Sequence, residues 1–193
     1  MGMRRRLPLL IVILVVIGAV LVARLVELPP AAAPVSSGPV AAGLGEVLEV
    51  VGGDTVRVRL PDYEGPVRIV GIDTPEIEHP GKPGGCFGPE AAAATAAWVE
   101  GRKVLVIPAL EQRDRYDRLL ASVEPQDGPI AGRDLARVLA LSGFARALPI
   151  APNTADAPEL ARRVRSAERQ GRGLWGTCGF VAAFPGKEPA GGG

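Results

Sequence analysis

Residues 46–60, EVLEVVGGDTVRVRL, hold two alternating runs on either side of Gly52-Gly53-Asp54. Alternation with period two reads as a strand that buries one face, and the Gly-Gly-Asp turn between two such runs reads as a hairpin. In the second run Val56, Val58 and Leu60 point one way, and Thr55, Arg57 and Arg59 the other. Working outward, residues 67–72 form a third strand after a Tyr63-Glu64-Gly65-Pro66 turn, and residues 104–107 and 119–123 supply two more. Helices fill the intervals. Residues 89–100 open on a proline with an early glutamate and stop at Gly101. Residues 132–142 carry Leu135, Val138, Leu139 and Ser142 on one stripe, and residues 158–170 carry Leu160, Val164 and Ala167. Three strands, a helix, two strands and two helices make an α+β order, the order of a small five-stranded barrel with helical insertions.

The flanks are of a different kind. Residues 7–23 carry no charge and follow Arg4, Arg5 and Arg6. As a helix this apolar run reaches roughly 25 Å at about 1.5 Å per residue, slightly short of a bilayer's ~30 Å hydrocarbon core. Residues 1–27 are expected to be a signal anchor or signal peptide. The uncleaved anchor is favoured, because no clean small-residue cleavage site follows. Either reading sends the rest of the chain outward, with the arginines kept inside. The chain is thus expected at the cell membrane, as a single-pass protein whose domain faces outward, or secreted. Residues 28–43 are rich in Pro, Ala, Ser and Gly and read as an extended linker, 44–181 as the domain, and 182–193 as a disordered tail.

Charge and cysteine usage narrow the chemistry. The chain has 22 basic and 21 acidic residues; five of the former and two of the latter lie outside 44–181, which leaves the domain with 17 against 19. That balance excludes a protein that coats nucleic acid with a basic face, so any phosphate recognition must be local. Cys86 and Cys178 are the two cysteines, and an even pair in an exported protein is more often a disulfide than two thiols. With His79 the sole histidine, zinc lacks ligands, and any metal must be held by oxygens. His79 itself is read as a loop residue without a role.

The densest polar patch is Val67-Arg68-Ile69-Val70-Gly71-Ile72-Asp73-Thr74-Pro75-Glu76, with Asp54 before it and Asp114-Arg115-Tyr116-Asp117-Arg118 after it. Singly, each reads as an ordinary turn, cap or surface ion pair. Jointly they meet the needs of phosphodiester hydrolysis: positive charge on the non-bridging oxygens, an activated water, and help for the leaving oxygen. Asp54 and Asp73 offer hard oxygen ligands of the kind calcium prefers. Arg68 and Arg118 offer bidentate, charge-assisted hydrogen bonds to phosphate. Glu76 offers a general base.

Gly53-Asp54-Thr55-Val56, Arg68 with Ile72-Asp73-Thr74-Pro75-Glu76, Phe87-Gly88-Pro89-Glu90-Ala91, Asp114-Arg115-Tyr116-Asp117-Arg118 and Gly173-Leu174-Trp175 stand in the order seen in the thermonuclease, or staphylococcal-nuclease-like, family. The resemblance spans roughly residues 45–176. It implies an OB-fold five-stranded β-barrel with three helices, and calcium-dependent endonuclease action on DNA and RNA that leaves a 3′-phosphate. It also implies metal ligation by Asp54, Asp73 and the Thr74 carbonyl, a base at Glu76, and phosphate binding and transition-state stabilisation by Arg68 and Arg118. Arg115 and Tyr116 are expected on the substrate side, and the protein is expected to act as a monomer without an obligate protein partner.

Three departures from the family pattern stand out. Asp117 replaces a usual glycine, where it could pair with Arg118 or weaken phosphate affinity. Residues 147–154 lack the tyrosines that stack on a nucleotide in the best-known member. Cys86 and Cys178 are absent from that member, and their placement suggests a staple from the entry of the first helix to the C-terminal segment. The competing readings are a non-catalytic module of this fold that binds nucleic acid or protein, and an envelope scaffold. A non-catalytic module would be expected to have lost a metal carboxylate or an arginine, and this chain keeps all five side chains.

Overall fold

A computed structural model describes residues 38–81 and 83–187. The apolar run 7–23 and the linker up to residue 37 lie outside the described residues. Among the described residues there are seven strands: β1 Gly43–Gly52, β2 Thr55–Leu60, β3 Tyr63–Ile69, β4 Ile72–Asp73, β5 Lys103–Arg113, β6 Leu119–Pro125 and β7 Arg146–Ala147. Five of them close into a barrel in the order β1-β2-β3-β6-β5, and β4 pairs with β7 alone. The expected five-stranded barrel of the OB-fold type is the observed one.

Its interior follows from the alternation. Val56, Val58 and Leu60 of β2 are buried, and Arg57 and Arg59 are exposed. Val67 and Ile69 of β3, Val104 and Val106 of β5, and Leu119, Ala121 and Val123 of β6 complete the inner wall. Each fully buried aliphatic side chain contributes about 1.5–3 kcal/mol. The Tyr63-Glu64-Gly65-Pro66 stretch, expected as a turn, belongs to β3, and the chain reverses one step earlier, at Pro61-Asp62. Gly65 leaves the space that the Tyr63 ring fills, and the Tyr63 hydroxyl donates to the Pro66 carbonyl at 2.7 Å.

The three expected helices form as α1 Gly88–Val99, α2 Leu135–Ser142 and α3 Ala157–Arg169. The start of α2 falls at Leu135 because Asp134 caps it, its carboxylate accepting from the Arg137 amide at 2.9 Å. Two short helices follow, α4 Leu174–Thr177 and α5 Gly179–Ala183. The tail expected to be disordered from residue 182 is folded as far as Lys187: Phe184 is 1% exposed, in a small second core with Leu174 and Ala183. Cys86 and Cys178 are joined, with Cα atoms 6.0 Å apart, so the staple ties the entry of α1 to the junction of α4 and α5. Among the described residues no helix is long and apolar enough to cross a membrane.

Candidate active site

Three features of the fold bring distant residues together. The β1–β2 hairpin pairs Gly52 with Thr55, which leaves Asp54 at its tip, and the Asp54 carbonyl accepts from the Ile69 amide at 2.9 Å. Thr55 sits opposite Arg68, so the tip lies against the end of β3. Secondly, β3 runs parallel to β6 with Arg68 opposite Leu120, and the period of two puts Arg118 on the same face as Arg68. Thirdly, β4 pairs Asp73 with Arg146 of β7. Helix α1 braces the rest: Thr95 donates to the Gly53 carbonyl at 2.7 Å, and Gly88 abuts the Glu76 carbonyl, where a Cβ would overlap it.

All eight proposed metal, catalytic and substrate residues (Asp54, Arg68, Asp73, Thr74, Glu76, Arg115, Tyr116 and Arg118) line one open cleft of about 680 Å³. Arg68 is its hub. One guanidinium nitrogen, Nη2, lies 3.0 Å from Asp54 Oδ2 and 3.2 Å from Asp73 Oδ1. The side chains are 12%, 13% and 6% exposed, and charges so shielded persist only when paired. Asp54 also accepts from the Thr74 amide at 2.9 Å and the Thr55 hydroxyl at 3.0 Å. Asp73 Oδ2 accepts from Arg146 Nε at 2.9 Å and Lys187 Nζ at 2.8 Å. Glu76 is the half-exposed member, with Oε1 3.9 Å from Lys187 Nζ.

The donor set suits a hard divalent cation. The Asp54 and Asp73 carboxylates converge on one Arg68 nitrogen, and carboxylate oxygens so gathered are the ligands calcium prefers. Thr74 stands beside Asp73 in the chain and binds Asp54 through its amide. Among the described residues no three His, Cys, Asp or Glu side chains form a ready-made cage. An ion here would therefore draw its remaining ligands from backbone oxygens and water, as calcium does readily.

Arg118 is held by Asp114, with Nε 2.7 Å and Nη2 2.6 Å from Oδ2. Burial pushes the Asp114 carboxyl up. The Arg118 side-chain bond, the Arg118 and Tyr116 amides and the Arg118 charge more than offset this and hold it below the ordinary aspartate range. A carboxylate lowered in this way keeps its partner as the pH falls through the usual aspartate value and releases it only below that. Tyr116 is 63% exposed, which settles it as a surface ring and not a core one. Its ring carries the Arg115 and Arg118 guanidinium groups at 4.7 and 5.3 Å from the centroid.

The expectation that Asp117 could pair with Arg118 is corrected: Asp117 faces Arg113, whose Nη1 donates to its carbonyl at 3.1 Å, and Asp114 takes Arg118 instead. Asp117 has φ 61°, in the left-handed region, which explains why a glycine suits this turn. Asp117→Gly should therefore stabilise the fold by about 1 kcal/mol, a rise of roughly 2–4 °C in melting temperature. Thermal unfolding checks this, and an unchanged or lower midpoint would count against backbone strain at this turn.

Two site residues have no motif behind them. Arg146 stands in the apolar run Phe144-Ala145-Arg146-Ala147-Leu148, where a lone cation among buried positions is itself a signal of an internal partner. Its guanidinium lies over the Phe184 and Phe180 rings at 4.9 and 5.5 Å. Lys187 sits in a Gly/Pro-rich tail and carries no such signal.

Comparison with known proteins identifies the family. The family model described as Staphylococcal nuclease homologue matches residues 66–177. The chain is 29% identical over 131 residues to the Thermonuclease of Staphylococcus hyicus, covering 67% of this chain and 74% of that one. It is 34% identical over 135 residues to Protein ParB of Escherichia coli, covering 68% and 71%. It is also 31% identical over 131 residues to the Probable endonuclease lcl3 of Aspergillus flavus, of which it spans 47%. With the barrel, the ordered motifs and a family match over more than half its length, this chain belongs to the staphylococcal nuclease homologue family.

Proposed function

We propose that this protein is a calcium-dependent endonuclease that hydrolyses phosphodiester bonds of DNA or RNA outside the cytoplasm. The observation that carries the reading is the single cleft shared by Asp54, Arg68, Asp73, Glu76 and Arg118. Asp54, Asp73 and the Thr74 carbonyl would hold the ion, which when bound supplies a Lewis acid for a phosphate oxygen. Glu76, exposed enough to meet solvent, takes the proton of the attacking water. The water oxygen bonds to phosphorus, the bond to the 5′ oxygen breaks, and that oxygen leaves as a hydroxyl with a proton taken from solvent, which yields a 3′-phosphate. Arg68 and Arg118 bind the non-bridging oxygens and stabilise the charge that grows on them. Arg115 and Tyr116 extend the contact along the substrate, with the Tyr116 ring available for base stacking. The export reading rests on the apolar run 7–23 behind three arginines and on the disulfide, a bond of oxidising compartments.

The test is digestion of DNA and of RNA by the full-length chain in millimolar calcium, with chelator as the paired condition. Digestion of at least one polymer, abolished by chelation, is the expected result. Undiminished digestion in chelator would remove the metal from the mechanism.

A further inference from the structure

Lys187 meets the cleft from a segment no motif covers. Its Nζ lies 2.8 Å from Asp73 Oδ2 and 3.9 Å from Glu76 Oε1. The backbone behind it is fixed. Phe184 is buried, the Lys187 amide donates to the Phe184 carbonyl at 3.1 Å, the Cys86 amide donates to the Ala182 carbonyl at 2.8 Å, and the Cys86–Cys178 bond fastens the start of the segment. The ammonium is thus a tethered group held at high local concentration beside the acidic side chains.

Its position conflicts with that of a metal ion. A carboxylate oxygen has two lone pairs, and those of Asp73 Oδ2 are taken by Arg146 Nε and Lys187 Nζ, while Oδ1 faces Arg68. A divalent ion that takes Oδ2 must therefore displace Arg146 or Lys187. Arg68 and Arg146 are 12% and 11% exposed and held by rigid planar groups, whereas Lys187 is 33% exposed on a flexible stem. Lys187 is the cation that can leave. Its charge also opposes an incoming ion at short range, where like charges repel most strongly.

We propose that Lys187 is a built-in competitor of the metal: it holds Asp73 and faces Glu76 until a divalent ion displaces it, and so raises the metal concentration the enzyme requires. This rests on the assignment of Asp73 as a metal ligand. Calcium binding by the full-length chain in mild detergent, measured by isothermal titration calorimetry, tests it with wild type, Lys187→Met and Lys187→Arg. Lys187→Met should bind calcium about tenfold more tightly (about 1.4 kcal/mol), with digestion reaching half-maximum at correspondingly lower calcium. Lys187→Arg, which keeps the charge, should stay near wild type. Equal calcium affinity in wild type and Lys187→Met, alongside intact calcium-dependent digestion, overturns the competition and leaves the nuclease reading standing. Weaker binding in Lys187→Met overturns it as well. No calcium uptake by any of the three, with digestion indifferent to chelator, overturns the metal assignment and this inference together.

Discussion

Arg68→Ala should lower kcat/KM by about 10²–10³-fold, the usual cost of deleting a single preorganised group that stabilises transition-state charge. Two effects coincide at this position. The phosphate loses its fork of donors, and Asp54 and Asp73 lose the nitrogen that both contact. Removing one member of a buried charge cluster costs about 3–5 kcal/mol of stability when the others stay charged and shielded. The variant should therefore also melt earlier, and calcium should restore part of that loss by binding the exposed carboxylates. Arg68→Lys separates the two effects, since it keeps a positive charge but not the planar fork. It should recover stability more fully than turnover. Steady-state kinetics and thermal unfolding with and without calcium measure both, and a kcat/KM within a few fold of wild type in Arg68→Ala would remove this arginine from the mechanism.

Glu76→Gln should lower kcat by about 10²–10⁴-fold, the range for loss of a positioned general base. Here the fold should be indifferent. Glu76 is 45% exposed, and its loop is fixed through the backbone: its carbonyl accepts from the Gly85 amide at 2.9 Å and packs against Gly88. The side chain is thus presented by a frame that does not depend on its charge. The melting temperature and the affinity for a non-hydrolysed substrate analogue should stay close to wild type while turnover collapses. If turnover persisted, the proton would have to leave by another route, and the assignment of Glu76 would be wrong.

The two variants probe parts of the site that were legible in the sequence to different depths. Strand β2 and the end of β3 could be read directly, because Val56, Val58, Leu60, Val67 and Ile69 alternate cleanly and the barrel buries that face. The start of β3 was hidden by Gly65 and Pro66, whose turn preference is overridden by pairing with Val58 and Arg57. Strand β5 runs on to Arg113, past the expected end at 107, because residues 108–113 open on a proline and include no fully buried position, so no apolar alternation marks them. The short helices α4 and α5 escaped because four or five residues broken by Gly176 and Gly179 give no helical period. Asp54, Arg68, Asp73, Glu76 and Arg118 were legible as an ordered set. Their partners were not. The grip of Asp114 on Arg118, in place of Asp117, depends on a left-handed residue in the turn, and the reach of Lys187 to Asp73 crosses 114 residues. The first turns on a backbone conformation that the residue types do not announce, and the second is not a property of local sequence.

The parallel seam between β3 and β6 has one more implication. Arg68 and Arg118 reach a common cleft only because Val67, Arg68 and Ile69 lie beside Leu119, Leu120 and Ala121, roughly fifty positions onward. Contacts at such separation form late, after the intervening chain has been ordered. Convergence of the two arginines and closure of the barrel are therefore one event, and a chain not yet folded has no such cleft.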